Sequence, residues 1–227
     1  MAVDLSGQVA LVTGGTRGVG QAIAQALQAA GADVRTFSRS GGVDVADREA
    51  VEHATAGLGP VDLLVNNAGT LDAIGPAWAV DPDAWRRDLE TTVLGAFHCS
   101  RAALPGMIER GRGRIVNISS GAATRPYPYG SGYAAGKAAL LSFTETLAAE
   151  TKEHGLAVFA ITPGFVWTEM TQSLRDASGP APDISDAEPV EPERAGELVV
   201  RLATGEADAL SGQFIHVLDD LDELLSR

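Results

Sequence analysis

The chain contains one cysteine, Cys99. An internal disulfide is therefore excluded, and such sparse cysteine usage fits a reducing cytoplasm. No apolar run is long enough to span a bilayer. The opening stretch "MAVDLSGQVALVTGG" has neither a basic region nor an apolar segment ending at a cleavage site, so no targeting signal is expected. Positive charge is scarce: 17 Lys and Arg face 30 Asp and Glu, a formal net charge of −13. An acidic surface repels nucleic acid phosphates and anionic lipids, so neither nucleic acid nor membrane is an expected partner. An anionic ligand would need local cationic groups instead. His53, His98, His154 and His216 show no ligand spacing, and no Cys/His/carboxylate cluster argues for a metal. Internal repeats and linkers are also lacking, so residues 1–227 read as one domain with a large core.

What is present is an alternation. β-Branched runs at 8–15, 33–38, 61–69, 113–120, 156–164 and 212–218 read as strands, with room for a further short strand at 42–45. Between them lie Ala-rich segments with helical spacing at 20–32, 47–57, 82–111, 132–155 and near 193–204. In the first helix Ile23 and Leu27 lie four apart and Gly31 is a stop signal. Pro105 lies inside the 82–111 pattern, where it is expected to kink or shorten the helix. Residues 168–193 are rich in Pro, Asp and Ser, have no clear period, and read as a lid. Strand–helix alternation implies a doubly wound α/β fold, a parallel sheet between two helical layers. Such sheets bind ligands at the carboxyl ends of their strands.

"TGGTRGVG" (13–20) joins the first strand to the first helix. Glycines there let backbone N–H groups approach a pyrophosphate at the positive end of a helix. The spacing Gly14, Gly18, Gly20 departs from the general G-x-G-x-x-G pattern. The end of the second strand should face the adenosine ribose. It carries Ser38 and Arg39, and Arg17 lies in the glycine loop. Two guanidiniums near one ribose suit a 2′-phosphate, which favours NADP(H). Asp44 reaching the ribose instead would favour NAD(H).

Tyr133 and Lys137 are four apart, on one face of the 132–155 helix. An ammonium near a phenol favours the phenolate, so Lys137 is expected to lower the Tyr133 pKa. Tyr133 would then trade a proton with a carbonyl oxygen while a nicotinamide trades a hydride with the carbon. Ser120 ends the preceding strand, where its hydroxyl can hold the same oxygen.

These pieces, in this order, resemble the short-chain dehydrogenases/reductases: "TGGTRGVG", "DV" at 44–45, "NNAG" at 66–69, Ser120, "YAAGK" at 133–137 and "PGFVWT" at 163–168. The resemblance runs from about Asp4 to Leu218. It implies a Rossmann fold and an NAD(P)-dependent enzyme acting on C–OH or C=O groups. By resemblance Tyr133 is the general acid or base, Lys137 binds the nicotinamide ribose and tunes Tyr133, and Ser120 orients the carbonyl. Gly14, Thr16, Arg17, Gly18, Val19 and Gly20 would carry the pyrophosphate. Asn67, Ala68 and Gly69 would line the adenosine ribose, and Asp44 and Val45 the adenine. Val166 and Thr168 would bind the carboxamide above the turn of Pro163 and Gly164. The family commonly assembles through its two long helices, so a homo-oligomer, tetramer or dimer, is expected in the cytoplasm.

Three departures bear on the carry-over. Thr92 stands where the family usually has an asparagine supporting a water relay; it either retains part of that function or simply packs. Only 21 residues separate Arg39 from Val61, so the helix after the second strand is expected to be missing and the adenine side open. The acidic end "HVLDDLDELLSR" reads either as a short packed helix or as a frayed tail. The leading function is an NADPH-dependent ketoreductase. Its rivals are an NAD-dependent alcohol dehydrogenase and a cofactor-binding regulatory protein without catalysis. Loops 70–78, 121–130 and 168–193 should line the substrate pocket. Arg125 there either holds an anion or is merely exposed, and Tyr127 and Tyr129 suggest a partly apolar substrate.

Overall fold

The computed structural model describes residues 3–176 and 188–226, so part of the expected lid at 168–193 lies outside the described residues. Among the described residues six strands form: β1 (Val9–Thr13), β2 (Asp33–Phe37), β3 (Leu63–Asn66), β4 (Gly113–Ile118), β5 (Leu156–Thr162) and β6 (Phe214–His216). They pair in the order β2-β1-β3-β4-β5-β6, parallel throughout. The α-helices are α1 (Gly18–Ala29), α2 (Arg48–Ala56), α3 (Pro82–Leu89), α4 (Gly95–Arg110), α5 (Ser131–Thr151), α6 (Glu169–Asp176), α7 (Glu193–Thr204) and α8 (Leu221–Leu225). Side-chain alternation along β1 shows how the sheet divides the core. Ala10 and Val12 join Ile23, Leu27, Val199 and Leu202 beneath α1 and α7. Leu11 joins Val51, Met107 and Leu147 beneath α2, α4 and α5. The result is the three-layer, doubly wound sheet expected of strand–helix alternation. The strand order reverses between β1 and β3, which opens a crevice at their carboxyl ends.

No strand forms at 42–45. Arg39–Gly41 make a 3₁₀ turn, and the Val43 N–H returns to the Ser38 carbonyl at 3.0 Å, folding the chain over the end of β2. No helix intervenes between β2 and this turn, as the short spacing required. β2 is consequently an edge strand, and three of its five residues are exposed.

The 82–111 pattern is one helical rod interrupted by a π-helical turn at Glu90–Leu94. Pro105 does not end it. That residue is exposed, and α4 continues past it to a left-handed Gly111.

α6 was not legible in the sequence, whereas α8 is the short packed helix that was one of the two readings of the acidic end. α6 is only eight residues long, with one buried side chain, Leu174, and so offers no period to count. It is held at its start by Thr168 and Thr171, each accepting the other's backbone N–H through its hydroxyl, at 2.8 and 3.3 Å. The acidic end forms α8, capped by the Asp220 carboxylate, with Leu221 in the core and Leu224 and Leu225 against it.

Candidate active site

At the switch point lies a cleft of about 840 Å³. Its first wall is the glycine loop, from Gly14 and Thr16 through Arg17, Gly18, Val19 and Gly20. Gly14 adopts φ 65, and a Cβ on Gly20 would fall 2.3 Å from both Asn67 Nδ2 and the Gly14 carbonyl. Only glycine lets the first turn of α1 pack so closely. Asn67 Nδ2 donates to the Thr13 and Gly14 carbonyls at 2.9 and 3.1 Å, locking the loop to the end of β3. The Thr13 hydroxyl accepts the Asn67 and Ala68 N–H groups at 3.0 Å each. The free N–H groups of α1 therefore face the cleft in a fixed frame, as an anion site requires.

Ser38, Arg39, Asp44 and Val45 line the far end. The Ser38 hydroxyl accepts the Gly41 N–H at 3.0 Å and lies 3.2 Å from the Ser40 hydroxyl. Asp44 is already engaged, accepting the Ala46 N–H at 2.9 Å. Arg17 does not join Arg39. It forms an ion pair with Glu169 at the start of α6, across the cleft. Both partners are well exposed, so this pair is weak and easily exchanged for a ligand.

At the near end, Asn67, Ala68, Gly69, Tyr133, Lys137, Pro163, Gly164, Val166 and Thr168 also line the cleft. Lys137 is 4% exposed, and its Nζ donates to the Ile118 carbonyl at 2.6 Å. A Cβ on Gly69 would lie 3.4 Å from that ammonium, so glycine keeps it reachable from the cleft. Lys137 Nζ is 5.6 Å from the centre of the Tyr133 ring. Ser120 stands near enough to the Tyr133 hydroxyl to favour its phenolate, and the Ser120 Oγ accepts the Ala122 N–H at 3.2 Å. The buried Ser119 hydroxyl donates to the Lys137 carbonyl at 3.1 Å, pinning α5 to the end of β4.

The electrostatics correct one expectation. Burial raises the Tyr133 pKa above its ordinary value, and the Ser120 hydrogen bond offsets this only in part. Burial also lowers Lys137 to about 8. Desolvation thus outweighs the ammonium's pull on the phenol, because the ammonium is itself disfavoured by the same burial. Burial thus favours the neutral phenol at Tyr133.

Two residues on the α3–α4 rod went unrecognised or unplaced. Asp88 is fully buried, and its carboxylate accepts the Thr70 hydroxyl at 2.9 Å and the Asp72 and Ala73 N–H groups at 2.8 and 3.2 Å. It fixes the loop that follows Gly69. Its signal was an aspartate in the helical series Ala84, Asp88, Thr92, Ala96, Cys99, all buried. Thr92 lies in the π-helical turn with its methyl against Gly136 and its hydroxyl beside Gly69. That hydroxyl has no partner among the described residues. Gly132 and Gly136 let the rod approach α5; Cβ atoms there would lie 3.1 Å from Asp88 and 3.3 Å from Thr92. Among the described residues no helix is long and apolar enough to cross a membrane, and no group of three or more ligand side chains could hold a metal.

The glycine loop, Tyr133 and Lys137 thus line one cleft. The sequence model of the short chain dehydrogenase family fits residues 42–179. The chain belongs to that family. It is 37% identical to the acetoacetyl-CoA reductase of Paracoccus denitrificans, over 90% of this chain and 94% of that one. It is 35% identical to the 3-oxoacyl-(acyl-carrier-protein) reductase of Vibrio cholerae, over 95% and 97% respectively. It superposes on the gluconate 5-dehydrogenase of Burkholderia cenocepacia in complex with NADP and tartrate, with a TM-score of 0.84 and 28% identity over 94% of each chain. The chain is an oxidoreductase acting on CH–OH or C=O groups.

Proposed function

We propose that this oxidoreductase is an NADPH-dependent ketoreductase with Tyr133 as its general acid. The observation carrying this reading is Tyr133 in the cleft with the buried Lys137 Nζ 5.6 Å from its ring centre, at the end of the strand that Ser120 follows. When bound, the nicotinamide supplies or accepts the hydride. Ser120 donates to the substrate carbonyl oxygen and holds it beside Tyr133. Tyr133 passes its proton to that oxygen as negative charge develops there. Lys137 places a cation behind the phenol and steadies the phenolate left by transfer. The N–H groups of α1 face the pyrophosphate, and Arg39 with Ser38 and Ser40 receives the 2′-phosphate. Arg39 offers this corner a cation with no ion-pair partner among the described residues, which favours NADP(H) over NAD(H). The reductases of Paracoccus and Vibrio support the chemistry, and the dehydrogenase in complex with NADP supports the cofactor.

We further infer a cytoplasmic homo-oligomer. Leu94, Phe97 and Ile108 along the α4 side of the rod are exposed, and Phe97 meets Phe143 of α5 edge-on at 6.4 Å, an apolar strip suited to a second copy. Turnover of NADPH with a neutral ketone such as ethyl acetoacetate, followed at 340 nm, tests the central reading. Tight NADPH binding without oxidation across ketones, diketones and quinones would favour a regulatory protein instead.

A further inference from the structure

Next to Ser120 the chain reads "GAATRPYPYG" (121–130), a segment the hydride chemistry does not use. Pro126 and Pro128 restrict the backbone on both sides of Tyr127. Tyr129 is the one non-glycine among the described residues with a left-handed backbone, at φ 66. Its carbonyl accepts the Gly75 N–H at 2.8 Å, tying this segment to the 70–78 loop. A Cβ on Gly130 would fall 2.7 Å from the Tyr127 ring, so glycine makes the room that ring occupies. The ring consequently lies 5.8 Å from the Tyr133 ring. Strain and stiffness concentrated in one surface segment mark a place where geometry is held for a ligand.

Arg125 belongs to the same segment. Its guanidinium lies against Gly121, where a Cβ would meet Nη2 at 3.3 Å, one residue beyond Ser120. Most arginines of this acidic chain are matched with carboxylates. Arg175 lies over the Trp167 ring. Arg39 and Arg125 have no ion-pair partner among the described residues; Arg39 lines the cleft, and Arg125 lies beside Gly121, outside the lining residues. An unmatched planar guanidinium on a stiff rim is suited to a carboxylate or a related anion. Tyr127 stays a neutral phenol, its pKa pushed up to about 12 by burial.

We propose that Arg125 and Tyr127 form the substrate-selecting wall, and that the substrate is a short oxo acid or hydroxy acid. Its anionic group pairs with Arg125, its carbon chain packs on the Tyr127 ring, and its carbonyl lies between Ser120 and Tyr133. This proposal rests on the ketoreductase reading of Ser120 and Tyr133.

The experiment compares matched probes with NADPH: acetoacetate against ethyl acetoacetate, and 2-oxopropylphosphonate against its dimethyl ester. The native protein should favour each acid over its ester, and the better acid identifies the anion as carboxylate or phosphonate. Arg125→Ala should raise KM for the acids about tenfold or more with little change in kcat, and leave the esters nearly unaffected. Arg125→Lys should recover part of the loss. A second readout needs no turnover: the affinity of NADP⁺-loaded protein for acetoacetate should fall by a similar factor in Arg125→Ala. Esters reduced normally, with no arginine dependence in either readout, would overturn the anion site and leave the ketoreductase standing. Arginine-dependent acetoacetate binding without reduction of any ketone would do the reverse.

Discussion

The two ends of the cleft hold their cations differently. Lys137 is buried beneath the sheet's carboxyl edge, donates to a backbone carbonyl and has a depressed pKa. Arg17 and Arg39 stand in solvent at the other end, one paired with Glu169 and the other with no ion-pair partner among the described residues. Burial decides what each charge is suited to do. A desolvated cation acts strongly on a neighbouring phenol and is costly to lose. A solvated one contributes little to the fold and is free to choose among ligands. The proposed function accordingly puts chemistry at the closed end and cofactor choice at the open one. The missing strand and helix after β2 sharpen the contrast, since they leave the adenosine side with an edge strand and a 3₁₀ turn for walls.

The largest effect that would break this contrast is at Lys137. Lys137→Met should lower kcat/KM by about a hundredfold or more, the scale of assisted proton transfer. The native profile supplies a companion test. kcat/KM for NADPH, which reports on the cofactor-free protein, should fall above about pH 8 as Lys137 loses its proton. Stability should move the other way. Between about 8 and the ordinary 10.5 the unfolded chain keeps a proton that the folded protein has shed, so the cofactor-free fold gains stability with rising pH. Denaturant titrations across that range should show the gain in native protein and lose it in Lys137→Met.

A smaller, more selective effect is expected at Arg39. Arg39→Ala should weaken NADPH about tenfold or more and NADH hardly at all, as fluorescence titration would show. Equal losses would mean that another group receives the 2′-phosphate.

The smallest effect belongs to Thr92. Its hydroxyl is buried without a partner among the described residues, so Thr92→Val should change unfolding free energy by no more than about 1 kcal/mol. A loss above about 2 kcal/mol in chemical denaturation would show that the hydroxyl is satisfied in solution.

Much of this was legible in the sequence because it depends on local chemistry. β5 is buried along all seven residues and reads as six apolar residues closed by Thr162. The glycine loop and the Tyr133–Lys137 spacing follow from strand–turn–helix geometry alone. What escaped depends on partners distant in sequence. Asp88 is meaningful only through Thr70, Asp72 and Ala73, and Arg17 only through Glu169. The Tyr133 pKa was misjudged for a related reason: helical spacing reveals an ammonium's proximity but not the burial of both groups. The strand expected at 42–45 failed because β-branched residues there turn back on Ser38 and find no neighbouring strand to pair with.

The most direct test is Tyr133→Phe, measured for NADPH affinity and for ketone reduction in the same preparation. The account predicts near-native NADPH binding with reduction lowered by about a hundredfold or more, since only the proton donor is lost. Near-native reduction would contradict it, because the neutral phenol at the closed end would then have no part in the proton transfer.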